Sequence, residues 1–269
     1  MWLFESMNLL HRYRTRTLFV ILTIFWLSAC STTGANVSVG DATYLDTAEK
    51  NYLEGTKSKE NKNYEQAVNY FEYVKNQFPY SKYAALADLA IADAYFESEQ
   101  WLLAAESYQF FIQFHPKHEK VGWATFQIAN SYTQAIPKNY PLMPKAHEKD
   151  QSTAESTVVA WDRFLRKFPK HEKVNEAKEQ RKKARNLLTD YEWAVAEFYE
   201  RKERYQGAAW RYETIFRKYP ETDRAPQAMA KAAQLYDGEL KETEKAKAIL
   251  QDLLKRYPKS EAAKAINPK

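Results

Sequence analysis

Apolar and aromatic side chains recur along this chain in steps of three and four, the spacing that gathers them on one face of an α-helix. Five prolines share one context: Phe78-Pro79, His115-Pro116, Phe168-Pro169, Tyr219-Pro220 and Tyr257-Pro258. Eight residues before each proline stand Phe71, Tyr108, Trp161, Tyr212 and Leu250. Twelve before stand Ala67, Ala104, Thr157, Ala208 and Ala246, and fifteen before Tyr64, Trp101, Ala154, Tyr205 and Thr243. Each unit therefore predicts a helix with a bulky–small–bulky face that ends at its proline, because proline disfavours the α conformation in the residue before it. Two residues beyond the prolines come Ser81, His118, His171, Thr222 and Ser260, and the Ser and Thr suit N-caps of the next helix. Partner helices lie upstream, marked by Ile91-Ala92 with Tyr95, Ile128-Ala129 with Tyr132, Val195-Ala196 with Tyr199, and Ala232-Ala233 with Tyr236.

A helix–turn–helix unit with this face resembles the tetratricopeptide repeat, whose period is about 34 residues. The resemblance covers roughly residues 44–266, with the family's usual glycine only at Gly55. Pro79 to Pro116 spans 37 residues and Pro220 to Pro258 spans 38, but Pro116 to Pro169 spans 53 and Pro169 to Pro220 spans 51. The first surplus, around Ile136–Pro144, predicts a loop inside repeat three. The second contains neither Pro nor Gly between Glu172 and Glu200, and predicts a helix lengthened by about four turns. The expected fold is an all-α tetratricopeptide solenoid of about five helix pairs, with a loop insertion in repeat three and an extended helix in repeat four. In such a solenoid Ala67, Ala104 and Ala208 let paired helices approach closely.

The N-terminus has a different character. His11, Arg12, Arg14 and Arg16 precede an apolar run, Leu18–Leu27, far shorter than the ~20 residues a bilayer span needs. Leu27-Ser28-Ala29-Cys30 follows, and Cys30 is the only cysteine. A basic start, a short apolar run and small residues are the parts of a secretory signal, and this one resembles the bacterial lipoprotein signal. That resemblance implies a covalent lipid on Cys30, a mature chain beginning there, and, with Ser31 rather than Asp next, outer-membrane sorting facing the periplasm. Residues 1–29 are then signal peptide and 30–43 a lipidated terminus and tether. Loss of Glu5, Arg12, Arg14 and Arg16 lowers the net charge from +5 to +3.

Composition narrows the chemistry. Six glycines leave little for phosphate loops or hairpin turns, and one cysteine excludes a disulfide framework. No HExxH, GxSxG or P-loop occurs, so neither a catalytic residue nor a metal site nor a cofactor is expected, and the chain reads as a non-enzyme. His115, His118 and His171 could serve as metal ligands by type, yet His118 and His171 stand in the helix-capping slot. The basic run Arg181-Lys182-Lys183 with Arg185 is interleaved with Glu176, Glu179 and Asp190, the pattern of a solvated helix rather than a nucleic-acid site.

Binding remains. In a tetratricopeptide solenoid the first helix of each pair lines the concave face. The register assigns Tyr52 and Thr56, then Leu86, Leu89, Asp93 and Phe96, then Trp123, Phe126, Asn130 and Thr133, and in repeat four Asp190, Trp193, Glu197 and Glu200 to that face. Tyr52, Leu86, Leu89, Phe96, Trp123 and Phe126 form the candidate peptide groove, apolar and off the packing face of the second helices.

Tyr191-Glu192-Trp193-Ala194-Val195-Ala196-Glu197-Phe198-Tyr199 and Tyr219-Pro220-Glu221-Thr222 resemble stretches of the BamD family of the outer-membrane β-barrel assembly machine. The resemblance implies a lipoprotein adaptor that binds the barrel-forming subunit through its periplasmic domain, other assembly lipoproteins and unfolded β-barrel substrates, with no nucleic acid. It implies a substrate side in residues 44–135, a loop insertion at 136–150 and a partner side in 151–269. Trp193, Glu197, Arg201, Lys202 and Arg204 are the partner-binding candidates. A Tol-associated coordinator and an accessory lipoprotein of a glycan-processing enzyme are the alternatives.

Overall fold

The computed structural model describes residues 43–138 and 144–266, so Cys30 and the signal segment lie outside the described residues. The described residues from Tyr44 onward belong to one compact unit. Eleven helices occupy the described part of that unit: α1 (Ala48–Glu60), α2 (Tyr64–Gln77), α3 (Lys82–Glu97), α4 (Trp101–Phe114), α5 (Val121–Ala135), α6 (Ser152–Lys167), α7 (Val174–Arg201), α8 (Tyr205–Lys218), α9 (Ala225–Gly238), α10 (Thr243–Arg256) and α11 (Glu261–Ile266). From α1 to α10 each packs on the next in sequence, and first helices of neighbouring pairs also meet, α1 on α3, α5 on α7 and α9 on α11. This is the expected tetratricopeptide solenoid. The extra residues of repeat three lie between α5 and α6, with a 3₁₀ turn at Ala146–Glu148, and α7 runs unbroken for 28 residues.

The five proline turns are copies of one another. Phe78, His115, Phe168, Tyr219 and Tyr257 all have φ between −124° and −129° and ψ between 52° and 58°, outside the helical well, as a pre-proline residue must be. In every turn the N–H three residues on donates to that residue's carbonyl at 3.0–3.1 Å. At Ser81 and Thr222 the N–H of Ala84 and of Ala225 bonds the residue's backbone carbonyl, at 3.1 and 3.2 Å, and so takes the donor that a side-chain cap would accept. Only Ser260 caps with its side chain, accepting from Ala263 N–H at 3.1 Å. The Ser81 hydroxyl is buried without a partner, and Thr222 donates backwards to Tyr219 O at 2.7 Å. By contrast, His118 and His171 each accept a backbone N–H two residues on, through Nδ1 at 3.1 Å, as capping residues would.

The corners inside the pairs use a second repeated device. Lys62, Glu99, Glu203 and Lys241 have φ of 56–63°, the left-handed conformation that glycine normally supplies. At the first, second and fourth corners Asn63, Gln100 and Arg204 donate to the carbonyls of Ser58, Tyr95 and Tyr199 at 2.8–2.9 Å, closing Schellman motifs.

Packing follows the sequence register. Ala67, Ala104, Thr157 and Ala208 are fully buried, as are Phe71, Tyr108, Trp161 and Tyr212. Gly55 faces Phe71 so closely that an added Cβ would stand 2.6 Å from the ring's Cε1. Gly55→Ala must therefore displace a buried ring and is expected to cost about 1–3 kcal/mol by overpacking; a chemical denaturation midpoint equal to the parent's would refute this. The basic run of α7 is tied into the fold: Arg181 and Arg185 hold Asp162 at 2.9 and 2.8 Å, Lys182 holds Asp223 at 3.0 Å, and Arg185 also reaches Glu221.

Candidate functional site

The six candidate groove residues divide by burial. Phe126 is only 3% exposed, with ring centroids 5.1 Å from Trp161 and 5.5 Å from Phe164, and Leu89 is also buried. Both are core residues rather than ligand contacts, because superhelical packing closes the next pair over them. Phe96 and Trp123 are half-buried and pack against the same core, with Phe96 edge-on to Trp101 at 5.0 Å. The expectation that they lie off the packing surface is thus corrected. Tyr52 is half-buried between Phe71 and Tyr83, 5.5 Å from each ring, and Leu86 is half-buried. The surface left for a ligand is narrower than the register implied.

The polar members of that register tie first helices to second ones. Asp93 accepts from Tyr108 Oη at 2.5 Å, Glu200 from Tyr212 Oη at 2.5 Å, and Thr133 Oγ1 from Trp161 Nε1 at 2.9 Å. Burial holds the Asp93 carboxyl above the usual carboxylate range, outweighing the Tyr108 hydrogen bond that favours its charged form. Burial, followed by the neighbouring carboxylates, also pushes the Tyr108 and Tyr212 phenols up, so both remain donors. These groups are structural hydrogen-bond partners, and they leave the concave face with few free polar handles in repeats two and three.

The partner-binding candidates have a different setting. Trp193 packs into the C-terminal core, edge-on to Tyr212 at 4.9 Å, under the Arg224 guanidinium at 4.7 Å, and donates Nε1–H to Glu197 at 2.8 Å. Its role is to fix Glu197 and this part of α7. Arg201, Lys202 and Arg204 are exposed, and among the described residues none of the three forms an ion pair. They surround the strained Glu203, at the corner where α7 turns into α8. Phe198 is 49% exposed one turn earlier, with Lys202 Nζ 6.0 Å above its ring. A short basic corner with one exposed aromatic suits an acidic, partly apolar protein surface.

Two exposed apolar features escaped the sequence reading. On α4, Leu102, Leu103, Phe110 and Phe114 are all more than 40% exposed, with Phe110 and Phe114 rings 4.2 Å apart; on α8, Trp210 is 61% exposed. The α4 segment WLLAAESYQFFIQF carries apolar side chains on both faces, more than one core needs, and that excess was the available signal.

A family model described as outer membrane lipoprotein (YfiO) matches residues 45–249. The chain is 25% identical over 207 residues to the outer membrane protein assembly factor BamD of Neisseria gonorrhoeae, covering 76% of this chain and 77% of that one. It is 22% identical over 225 residues to BamD of Pasteurella multocida, covering 81% and 82%. Among solved structures, the TPR2AB domain of yeast Sti1 in its pHSP90 complex is similar with 13% identity and a TM-score of 0.39, over 78% of each chain.

Proposed function

The chain belongs to the YfiO outer membrane lipoprotein family, and from that membership we propose that it is a non-enzymatic adaptor in the assembly of β-barrel outer-membrane proteins. The observation that carries this reading is the extent of the match, from the start of α1 into α10, since it spans both halves of the solenoid. Two relatives at 22–25% identity that bear the name of an assembly factor support it. The same family match gives no support to a Tol-associated coordinator or to a glycan-processing accessory.

In this reading a lipid on Cys30 holds the protein at the periplasmic side of the outer membrane, and among the described residues no helix is long and apolar enough to cross a membrane. The exposed corner Arg201, Lys202, Arg204 grips the periplasmic domain of the barrel-forming subunit, with Glu197 and Phe198 beside it. The half-buried Tyr52, Leu86, Phe96 and Trp123 supply what remains of a substrate surface in the N-terminal repeats, and other assembly lipoproteins bind elsewhere on the solenoid. The test is affinity purification of the protein from its own envelope with mass spectrometry, comparing the parent with Arg201→Glu, Arg204→Glu. The parent is expected to retain a β-barrel assembly subunit. The double variant, folded by circular dichroism, is expected to lose it by tenfold or more, about 1.4 kcal/mol, because charge reversal juxtaposes like charges. Retention by the variant would remove this corner from the interface, and capture of an unrelated set of proteins by the parent would overturn the adaptor reading. Separately, Cys30→Ser is expected to abolish incorporation of labelled palmitate; continued labelling would refute the anchor.

A further inference from the structure

The proline turns that close repeats one to three share one edge of the solenoid with the point where the chain joins α1. Tyr44, just before α1, stacks on Tyr73 of α2 at 4.0 Å, and Tyr73 meets Phe78 of the first proline turn at 6.1 Å. His115 of the second turn binds Asp88, in the second helical turn of α3, at 2.8 Å. A Cβ on Gly122, at the start of α5, would lie 3.1 Å from His171 of the third turn.

This edge is strongly basic. Lys82, Lys117, Lys120, Arg166, Lys167 and Lys170 are exposed along it, against Glu49, Glu119 and Glu172, while Asp46 pairs with Lys50 at 2.9 Å and Lys173 with Glu176 at 3.0 Å. The opposite edge of repeats one and two, where α1 turns into α2 and α3 into α4, is balanced: Lys57, Lys59 and Lys62 face Glu60, Glu97 and Glu99, with Lys59 paired to Glu97 at 2.8 Å. Fold stability does not account for the bias. Arg166 and Lys167 complement the C-terminus of α6, but Lys82 and Lys120 stand at the positive ends of α3 and α5, whose first turns contain no acidic residue. The edge also presents Tyr80, fully exposed, and Phe114, 57% exposed, aromatic rings of the kind that sit at headgroup depth.

We propose that this proline-turn edge lies against an anionic phospholipid surface, so that the protein is held by its edge as well as by its anchor. The proposal deepens the reading above, since it rests on the chain being tethered through residues 30–43, which join the solenoid at this edge. Lipid headgroup phosphates and a basic strip attract each other by about 1 kcal/mol per residue near the surface, roughly fivefold in affinity each. One edge turned to the membrane leaves both faces of the solenoid free for protein partners.

The test uses residues 44–269, the compact unit without its tether, so that it stands apart from the lipidation reading. Co-sedimentation is measured with vesicles of equal phosphatidylglycerol and phosphatidylcholine, and with pure phosphatidylcholine. Binding is expected to the anionic vesicles only and to fall with salt. Lys117→Gln, Lys120→Gln, Lys167→Gln, Lys170→Gln together are expected to weaken it at least tenfold. Replacing Lys57, Lys62, Lys241 and Lys247 by Gln, an equal change in net charge away from the edge, is expected to leave it within twofold. This unit contains no cysteine, so Tyr80→Cys with an environment-sensitive dye reports position directly, with an expected blue shift on anionic vesicles that Lys62→Cys lacks. Equal weakening by both lysine sets, equal shifts of both dyes, or binding that ignores lipid charge would overturn the proposal. So would loss of a co-purifying acidic protein from the first lysine set with vesicle binding unchanged, which would assign the edge to a protein partner.

Discussion

Trp161→Ala is expected to destabilise the solenoid by roughly 3–5 kcal/mol, the range for truncating a large buried aromatic. The indole is fully buried between α5 and α6, with Phe126 5.1 Å and Phe164 6.2 Å from its ring, and its Nε1–H donates to Thr133 Oγ1 at 2.9 Å. Truncation opens a cavity and removes the donor that ties α5 to α6 across the inserted loop. Because repeat proteins are stabilised by nearest-neighbour interfaces, the damage is expected to spread to α4 and the first half of α7, broadening the urea transition. Trp161→Phe retains most of the volume and loses only the hydrogen bond, and is expected to cost about 1–2 kcal/mol. Equal midpoints for Trp161→Ala and the parent would show that this indole does not carry the junction.

Glu213→Ala is expected to cost roughly 3 kcal/mol in the C-terminal repeats, because one buried carboxylate joins three helices. Glu213 on α8 accepts from Tyr236 Oη of α9 at 2.6 Å, from Lys245 Nζ of α10 at 2.9 Å, and from Arg217 at 2.7 Å. The variant leaves a fully buried tyrosine hydroxyl without its acceptor. The same group sets a pH dependence. Burial works to raise the Glu213 carboxyl, but the Tyr236 and Lys245 hydrogen bonds outweigh it, and the group is held below its ordinary value of 4.5. A carboxylate lowered in the fold adds stability above its unfolded value, and that contribution is lost as pH falls through the folded one. Parent and Glu213→Gln are therefore expected to differ most in unfolding midpoint near neutral pH and to converge well below 4.5. A constant difference across that range would contradict the assignment.

The repeat was legible because its determinants are local. The aromatic–Pro step, the small residue twelve before it and the helix formers between Glu172 and Glu200 predicted elements that the structure contains. The groove was only partly legible, because facing the next pair and facing solvent have the same helical period. Phe126 and Trp123 stand three residues apart on α5, yet one is core and the other half-exposed; only the packing of α6 separates them. Capping was misread at Ser81 and Thr222 because the N–H three residues on bonds their backbone carbonyls instead of their hydroxyls. Cation placement was missed altogether, since an edge collects residues some forty positions apart, and no local pattern links Lys82 to Lys120 or Lys170. At Arg201, Lys202 and Arg204 the sequence showed the charge, while the exposure of Phe198 beside them came from the fold.

The unbroken α7 also fixes a rotational phase. It spans 28 residues, about 42 Å at 1.5 Å per residue, with its first half against α6 and its second against α8. Every residue inserted or deleted near its middle would advance or retard everything downstream by about 100° while changing the length by only 1.5 Å. The direction in which the basic corner points, relative to the N-terminal repeats, is thus a counted quantity, reset by single-residue length changes that touch neither surface. Changes of seven residues, close to two whole turns, would nearly restore it.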